Sequence, residues 1–592
     1  MRKIFIISVC LLSIGSLLNN VCAQQQTKKK PATSTQQKKI SSSKKKSTTT
    51  GVTNNQPVMQ QQQALQNNSA GNNTVTVTSE FKPSLRNAAK INFSAGTPAL
   101  DTIKLPLTYN LPAQQLTFQY RPVSVKPAAL EIDSSLPWIN HQYIKAGFGN
   151  YSTPYGEVGL SFGDGKQSII DVGASFISSK GKLPFQQYAK GNVQVLGIFN
   201  SPKTEYTSKI YYNNNSLYKY GYPDANAVFT KSQLRQVFNN IGFELGFQNK
   251  TPTDFGMTFH PQIKLDFFAK NSASSEFNLS GGLDLKKSLV KFFALEVKPF
   301  ADITLLSHSL TDNTIHNNLF HINTSLQLNT PDFKLKVGVQ PTWSNSSNSS
   351  FYLLPDITAE TNISSNKLIF MLGWVGAMQK NNFHSLALIN PYIQDPVQLF
   401  NTKTIEEYFG LKGSVGSHIA YNAKFSFVQW NNAALFANDT LTDNMQTFDV
   451  LNETQMQGIK LHAEASYTVQ EKLTFIGALN YLQITRSEKY SKPYGWLPLE
   501  VTGTLRYAII KGFSVKSDLF FWDGTSYRNP FTLQSQKLPA VLDFNVGLDF
   551  SVLPKLNVWL QFNNILNKDY QRWNQYKVLG FNFLGGVVYS FR

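Results

Sequence analysis

The sequence predicts an all-β fold, a transmembrane antiparallel β-barrel of about 22 strands preceded by a disordered N-terminal tail. Three observations carry that expectation. Apolar and polar residues alternate with a period of two over most of the chain beyond His141. Tight turns take turns with longer polar loops, and aromatic residues (13%) are nearly as frequent as charged ones (15%). The aromatic surplus is Phe and Tyr, 43 and 25 residues, a composition that suits strands and turns better than helices. Mean hydropathy falls below zero, which excludes a bundle of membrane-spanning helices. A membrane barrel is compatible with that value, because half of its residues face a polar lumen.

The chain opens with a basic pair, Arg2 and Lys3, then the apolar run from Ile4 to Leu18, then Val21-Cys22-Ala23 before Gln24. This pattern reads as a secretory signal peptide, residues 1–23, cut after Ala23. Cys22 raises a lipoprotein alternative, but Asn20 and Val21 lack the small residue that lipoprotein processing favours. The two cysteines, Cys10 and Cys22, leave with the signal, so the mature chain is expected to hold neither a disulfide nor a thiolate metal site. No other predominantly apolar run reaches the roughly 20 residues a membrane helix needs.

Residues 24–78 form a Lys/Gln/Ser/Thr-rich segment without an acidic residue, with lysines at 28–30, 38, 39 and 44–46. Such a composition cannot bury a core and is expected to be a disordered periplasmic tail. These eight lysines belong to a net charge of +19 and a pI near 9.5, so basicity here does not indicate a nucleic-acid-binding fold. An anionic envelope component is one expected partner of the tail, and a solvated linker is the plainer reading. Residues 79–137 are punctuated by Pro83, Pro98, Pro106, Pro112, Pro122 and Pro127. That connecting segment is expected to be ordered only against something larger, as a reduced plug would be.

From 138 to 592 the alternation assigns faces. Phe255, Met257, Phe259, Ile263, Leu265 and Phe267 share one face, while Thr258, His260, Gln262, Lys264 and Asp266 share the other. Leu542, Phe544, Val546, Leu548 and Phe550 alternate in the same way with Asp543, Asn545, Gly547 and Asp549. Because a soluble sandwich can also alternate, the connections decide. Tight turns fall at 163–166, 200–203, 249–254, 287–291, 330–332, 364–367, 470–472, 511–512 and 553–555. Longer loops are expected at 213–231, 308–317, 380–404, 430–444, 487–495, 523–537 and 567–577. In a membrane barrel only the outward rim is free to grow, which yields this rhythm and places the chain in the cell outer membrane, in contact with its lipid. The longest loop, 380–404, holds Leu386, Ile389, Pro391, Tyr392 and Ile393, apolar enough to fold inward or to pack on a neighbour.

The C-terminal residues carry a resemblance. Asn563-Asn564-Ile565-Leu566-Asn567-Lys568-Asp569-Tyr570, then Tyr576, Gly580-Phe581 and Gly585 to Phe591, resemble the last two strands of TonB-dependent receptor barrels. The resemblance implies a 22-stranded barrel with a plugged lumen and a role in transporting a solute or ligand across the outer membrane. It covers the barrel alone. The family's plug exceeds a hundred residues, so 79–137 is too short for one and the chain reads as a plugless relative. Asn73 to Thr78 faintly resembles a TonB-contacting box.

Chemistry-bearing patterns are sparse. Gly159-Leu160-Ser161-Phe162-Gly163 fits the G-x-S-x-G motif, but it lies in an alternating strand that enters a turn, whereas the nucleophile elbow needs a helix to follow. The eight histidines are scattered, with no zinc-ligand spacing. His316 and His321 are expected at a loop boundary, solvated. His462, Glu464, Ser466 and Thr468 share an inner face, where a hydrogen-bond ladder is the simpler account than a catalytic site. No cofactor and no enzymatic activity are expected. The candidate site is the lumen lining, at Lys264, Asp266, Asp284, Lys286, His462, Glu464, Lys516, Asp518, Asp543 and Asp549. Both signs occur in that set, so no ion preference follows. Two function classes remain: transport of a solute, or a structural or assembly role in which another envelope protein fills the lumen or grips the tail.

Overall fold

A computed structural model describes residues 140–591 apart from 223–227, 272–273, 309–313, 365–366, 441–444 and 470–471. The signal peptide, the basic tail and the segment 79–137 therefore lie outside the described residues. Within them, 22 strands form one antiparallel sheet in which each strand pairs with its neighbours in sequence. The sheet closes where the first strand, Tyr143–Gly149, pairs with the last, Asn582–Ser590, from Tyr143 opposite Ser590 to Gly149 opposite Leu584. Closure leaves no free edge, which a sheet in hydrocarbon requires because lipid offers no hydrogen bonds.

The period-two pattern sets which face each side chain takes. Phe148, Ile210, Leu353 and Phe409 all stand exposed on the outside, at 61, 54, 62 and 48%. A soluble protein seldom shows such a continuous apolar belt, whereas a bilayer buries it. On the inside, bulky rings lie flat over glycine. A Cβ at Gly242 would overlap the ring of Tyr211, and one at Gly373 the ring of Tyr408. Glycine here makes room in the neighbouring strand for a ring that crosses it.

One rim has the tight turns. At 163–168 the Asp164 carboxylate accepts the backbone N–H of Lys166, Gln167 and Ser168 at 3.0, 2.7 and 2.8 Å, with Gly163 and Gly165 at φ +115° and +69°. These three hydrogen bonds to the charged form hold the Asp164 carboxyl below its usual range. The barrel's first and last residues sit on this same rim, where the Asn140 amide donates to the Gly163 carbonyl.

The opposite rim differs from the sequence expectation. Residues 430–444, expected as a loop, belong mostly to strand Ile419–Asn438, 20 residues long, paired with Phe448–Val469, 22 residues long. Residues 213–218 and 314–317, also expected in loops, are strand as well. Asn431-Asn432 suggests a turn, and Asn432, at φ +56°, does drop out of the ladder, between Asn431 opposite Gln455 and Ala433 opposite Glu453, without shifting the register. The strand nevertheless resumes, because Ala433, Leu435 and Ala437 beyond the break are fully buried. His316 and His321 likewise lie within strand Thr314–Asn329, and His321 stacks on Phe300 with ring centres 4.9 Å apart.

Candidate functional site: the lumen wall and its outer cap

The inward residues pair with one another across strands. Lys264 Nζ lies 3.3 Å from Glu244 and 3.1 Å from Asp266, whose other oxygen accepts from the Tyr211 hydroxyl at 2.5 Å. Lys298 Nζ is 3.1 Å from Glu296 and 3.9 Å from Asp284, and Lys286 stands opposite Glu296 in the register. His462 donates or accepts with Asn480 at 2.7 Å and lies 3.9 Å from Glu464. Farther round, Lys516 meets Asp549 at 2.6 Å, Thr504 donates to Asp518 at 2.9 Å, and the Tyr570 hydroxyl donates to Asp543 at 2.6 Å. The ten sequence candidates thus fall into several separate local groups, not one centre.

Sequence reading named both members of Lys264–Asp266, His462–Glu464 and Lys516–Asp549 but missed other partners. Glu244, Glu296, Lys336 with Asp356 at 2.5 Å, Lys412 with Glu360 at 2.6 Å, and Lys424 with Glu406 at 2.9 Å complete the wall. Alternation places them all on the inner face, but only register shows which acid meets which base. The wall is therefore neutralised locally, each partly exposed pair contributing about 0–1 kcal/mol. Among the described residues no group of three or more His, Cys, Asp or Glu is placed to hold a metal ion.

The long-loop rim carries a cap. Residues 380–401 fold inward, as their apolar content predicts, around a short helix, Phe383–Ile389. Asn382 caps it, its side chain accepting from Ser385 N at 2.9 Å while Ser385 Oγ accepts from Asn382 N at 3.0 Å. Phe383, Leu386, Ile393 and Leu399 are almost wholly buried, packed with Phe238, Phe268 and Leu306 of the wall. From the far side of the mouth comes the connection 564–581. Its two-stranded ribbon, Gln571–Trp573 with Tyr576–Lys577, presents Trp573 to Phe436 and Phe448, at ring centres 5.4 and 5.6 Å. Tyr576 stacks on Tyr392 and donates to the Gln446 carbonyl at 2.5 Å. Loops from opposite sides of the barrel thus meet in one apolar cluster.

Polar contacts tie the cap to the wall. Lys270 Nζ reaches Asp395 at 2.5 Å, and Ser274 donates to the other oxygen of that carboxylate, which His308 approaches at 4.0 Å. Lys380 Nζ meets Asp302 at 2.6 Å. The buried Glu276 carboxylate accepts Phe383 N at 2.6 Å and His384 N at 3.2 Å. Asn317, Asn381 and Asn401 interlock behind them, with Asn317 donating to Asn401 Oδ1 and to the Asn381 carbonyl, both at 3.0 Å. His384 stacks on Phe268 at 4.6 Å, and burial holds its imidazole down to about 4.

No family model and no curated protein matches the sequence. Solved structures do match in fold. The FrpB iron transporter from Neisseria meningitidis aligns with a TM-score of 0.62 at 11% identity, over 77% of this chain and 82% of its own. The ferripyoverdine receptor of the outer membrane of Pseudomonas aeruginosa aligns at 0.58 and 11%, over 76% and 72%. The copper transporter OprC aligns at 0.56 and 12%, over 77% and 84%. These neighbours are TonB-dependent receptors with 22-strand barrels. At these identities the likeness shows the fold, a closed 22-strand antiparallel barrel, and the chain's own exposed apolar outer face is the surface that an outer-membrane barrel turns to lipid.

Proposed function

We propose that this barrel conducts a solute across the outer membrane, with the paired polar wall as its path and the 380–401 cap as its gate. One observation carries the reading. The 380–401 loop lies inside the strand ends and holds to the wall through side-chain packing, ion pairs such as Lys270–Asp395 and Lys380–Asp302, and isolated backbone bonds, and not through the continuous strand ladder. A cover attached in this way can move while the wall stays intact. The likeness to outer-membrane transporters supports transport at the level of the fold. The iron, pyoverdine and copper of the neighbours are not carried over, because the wall offers charge pairs where a metal would want converging ligands. A path of alternating charge pairs suits a polar, uncharged or zwitterionic solute.

A second reading has its own support. The cap cluster is buried and rich in aromatic rings, which suits a permanent stopper in a barrel that anchors an envelope assembly. The basic tail, residues 24–78, would then be the partner-binding arm, and 79–137 a filler of the lumen from below. Planar-bilayer conductance of the full mature chain separates the two. The conduit reading expects rare openings that become frequent in a Lys270→Ala/Lys380→Ala variant shown to be folded. Silence in both, persisting in a chain without residues 24–137, would overturn the conduit and leave the anchor.

A further inference from the structure

Strand Leu473–Ser487 outruns its neighbour Leu499–Ile510, whose pairing with it ends at Tyr481 opposite Leu499. Above that point the sheet has a notch of about 490 Å³, bounded by the end of the longer strand, residues 488–498 and the connection that begins at Asp523. Below the notch the outward side chains are Phe475, Leu479 and Tyr481, part of the belt that faces lipid. At the notch itself Arg486, Lys492 and Lys537 join Tyr481 and apolar residues such as Leu482 and Leu497 in the lining. Cations therefore appear on this surface beyond the apolar side chains, in the order in which a bilayer passes from acyl chains to headgroups. Tyr and Trp mark that level in membrane proteins generally.

The walls of the notch are fixed before any ligand arrives. The fully buried Glu453 carboxylate accepts the backbone N–H of Glu488, Lys489 and Tyr490 at 3.1, 2.8 and 2.7 Å, and the Ser487 hydroxyl at 2.9 Å. Trp496 Nε1 donates to the Ala434 carbonyl at 2.9 Å. The two loops are joined where Tyr494 and Ser535 share a hydrogen bond of 2.6 Å and Gly495 N donates to the Ser526 carbonyl at 3.0 Å. Two acids face the cations: Asp523 lies 2.7 Å from Lys537, and Glu488 only reaches Arg486 at 4.0 Å. Lys492 has no ion pair among the described residues, and Asp523 is the one acid among the residues that line the notch, with Glu453 turned away onto its backbone partners. Arg486 is two-thirds exposed, with its guanidinium free to grip an oxyanion in two places.

From this arrangement we infer that the notch seats the phosphate headgroup of an outer-leaflet lipid, whose acyl chains run down over Tyr481, Leu479 and Phe475. A phosphate fits because it offers several acceptor oxygens to cations that approach from both walls. Free phosphate would engage the same cations but would leave the apolar floor uncovered.

The test uses the full mature chain in nanodiscs of equimolar phosphatidylcholine and phosphatidic acid, with retained lipid counted by native mass spectrometry. Phosphatidic acid should be enriched around the wild-type chain. Enrichment should fall by roughly five-fold for each cation removed among Arg486→Gln, Lys492→Gln and Lys537→Gln. A Lys203→Gln/Lys250→Gln variant on the opposite rim should retain the wild-type preference. Equal enrichment in wild type and the triple variant overturns the site. Saturable binding of inorganic phosphate without lipid enrichment overturns the lipid and leaves only a free-anion site. Heat-modifiable gel mobility shows that each variant is folded. As a check on positioning, Glu453→Gln should weaken lipid retention while leaving all three cations in place.

Discussion

Asp395 and His384 show what individual side chains contribute. Asp395 is a single carboxylate that collects Lys270, Ser274 and His308 from three strands, so its loss frees one end of the cap. His384 is held neutral by burial against Phe268, with its imidazole at about 4 where 6.5 is ordinary; Asp266 pulls it upward and Lys264 downward. A base whose folded value is depressed is stabilising above its unfolded value. That contribution fades as pH falls from 6.5 towards 4, because the opened cap takes up the proton more readily. The protection factors of residues 383–389, taken against the intrinsic exchange rate at each pH, should therefore fall across that window, and His384→Phe should abolish the fall. An unchanged pH profile in that variant would place the switch elsewhere. At this scale the sequence was partly legible. The inner-face positions of Lys264, Asp266, His462 and Glu464 follow from alternation, while their partners Glu244 and Asn480 depend on register between strands, which alternation does not encode. The Asn-rich stretch before the last strand has a local cause, since Asn564 and Asn567 adopt φ of +46° and +49°, which Asn tolerates better than most residues.

Among the elements, the strands of the wall were readable wherever lipid lies on one side and the lumen on the other, because only there is the two-residue pattern enforced. Above the membrane the rule lapses. Residues 433–437 are apolar on both faces, since the cap connections cover the inside, and an Ala-Ala-Leu-Phe-Ala run after two asparagines resembles a loop more than a strand. The cap itself was legible as an apolar loop, but its helix was not, because seven residues carry too little periodicity. The cap is a separable unit in energetic terms. Phe383→Ala should remove about 3–5 kcal/mol of packing from it without touching a strand pair. Protease cleavage within 383–399 should then appear in a barrel that still migrates as folded. Loss of the folded form along with the cap would mean that wall and cap stand or fall together.

For the whole molecule, closure rests on a short seam. The first strand has seven residues, and its seven pairs with the last strand join parts of the chain more than four hundred positions apart. Removing residues 582–592 should leave two unpaired edges, at Tyr143–Gly149 and Leu556–Asn563, and should give aggregated material in place of a heat-modifiable barrel. A permuted chain with its old ends joined and new ends opened within 529–534 should still fold, because the seam then becomes an ordinary hairpin. If the permuted chain fails as the truncated one does, the seam is not the reason. The seam also sets an order of events during biogenesis. The first strand's second partner lies more than four hundred positions downstream, so no closed ring exists until residues 582–590 are in place. Until then both borders of the sheet stay open, each a template on which another chain can pair, so the seam protects against association as well as completing the ring.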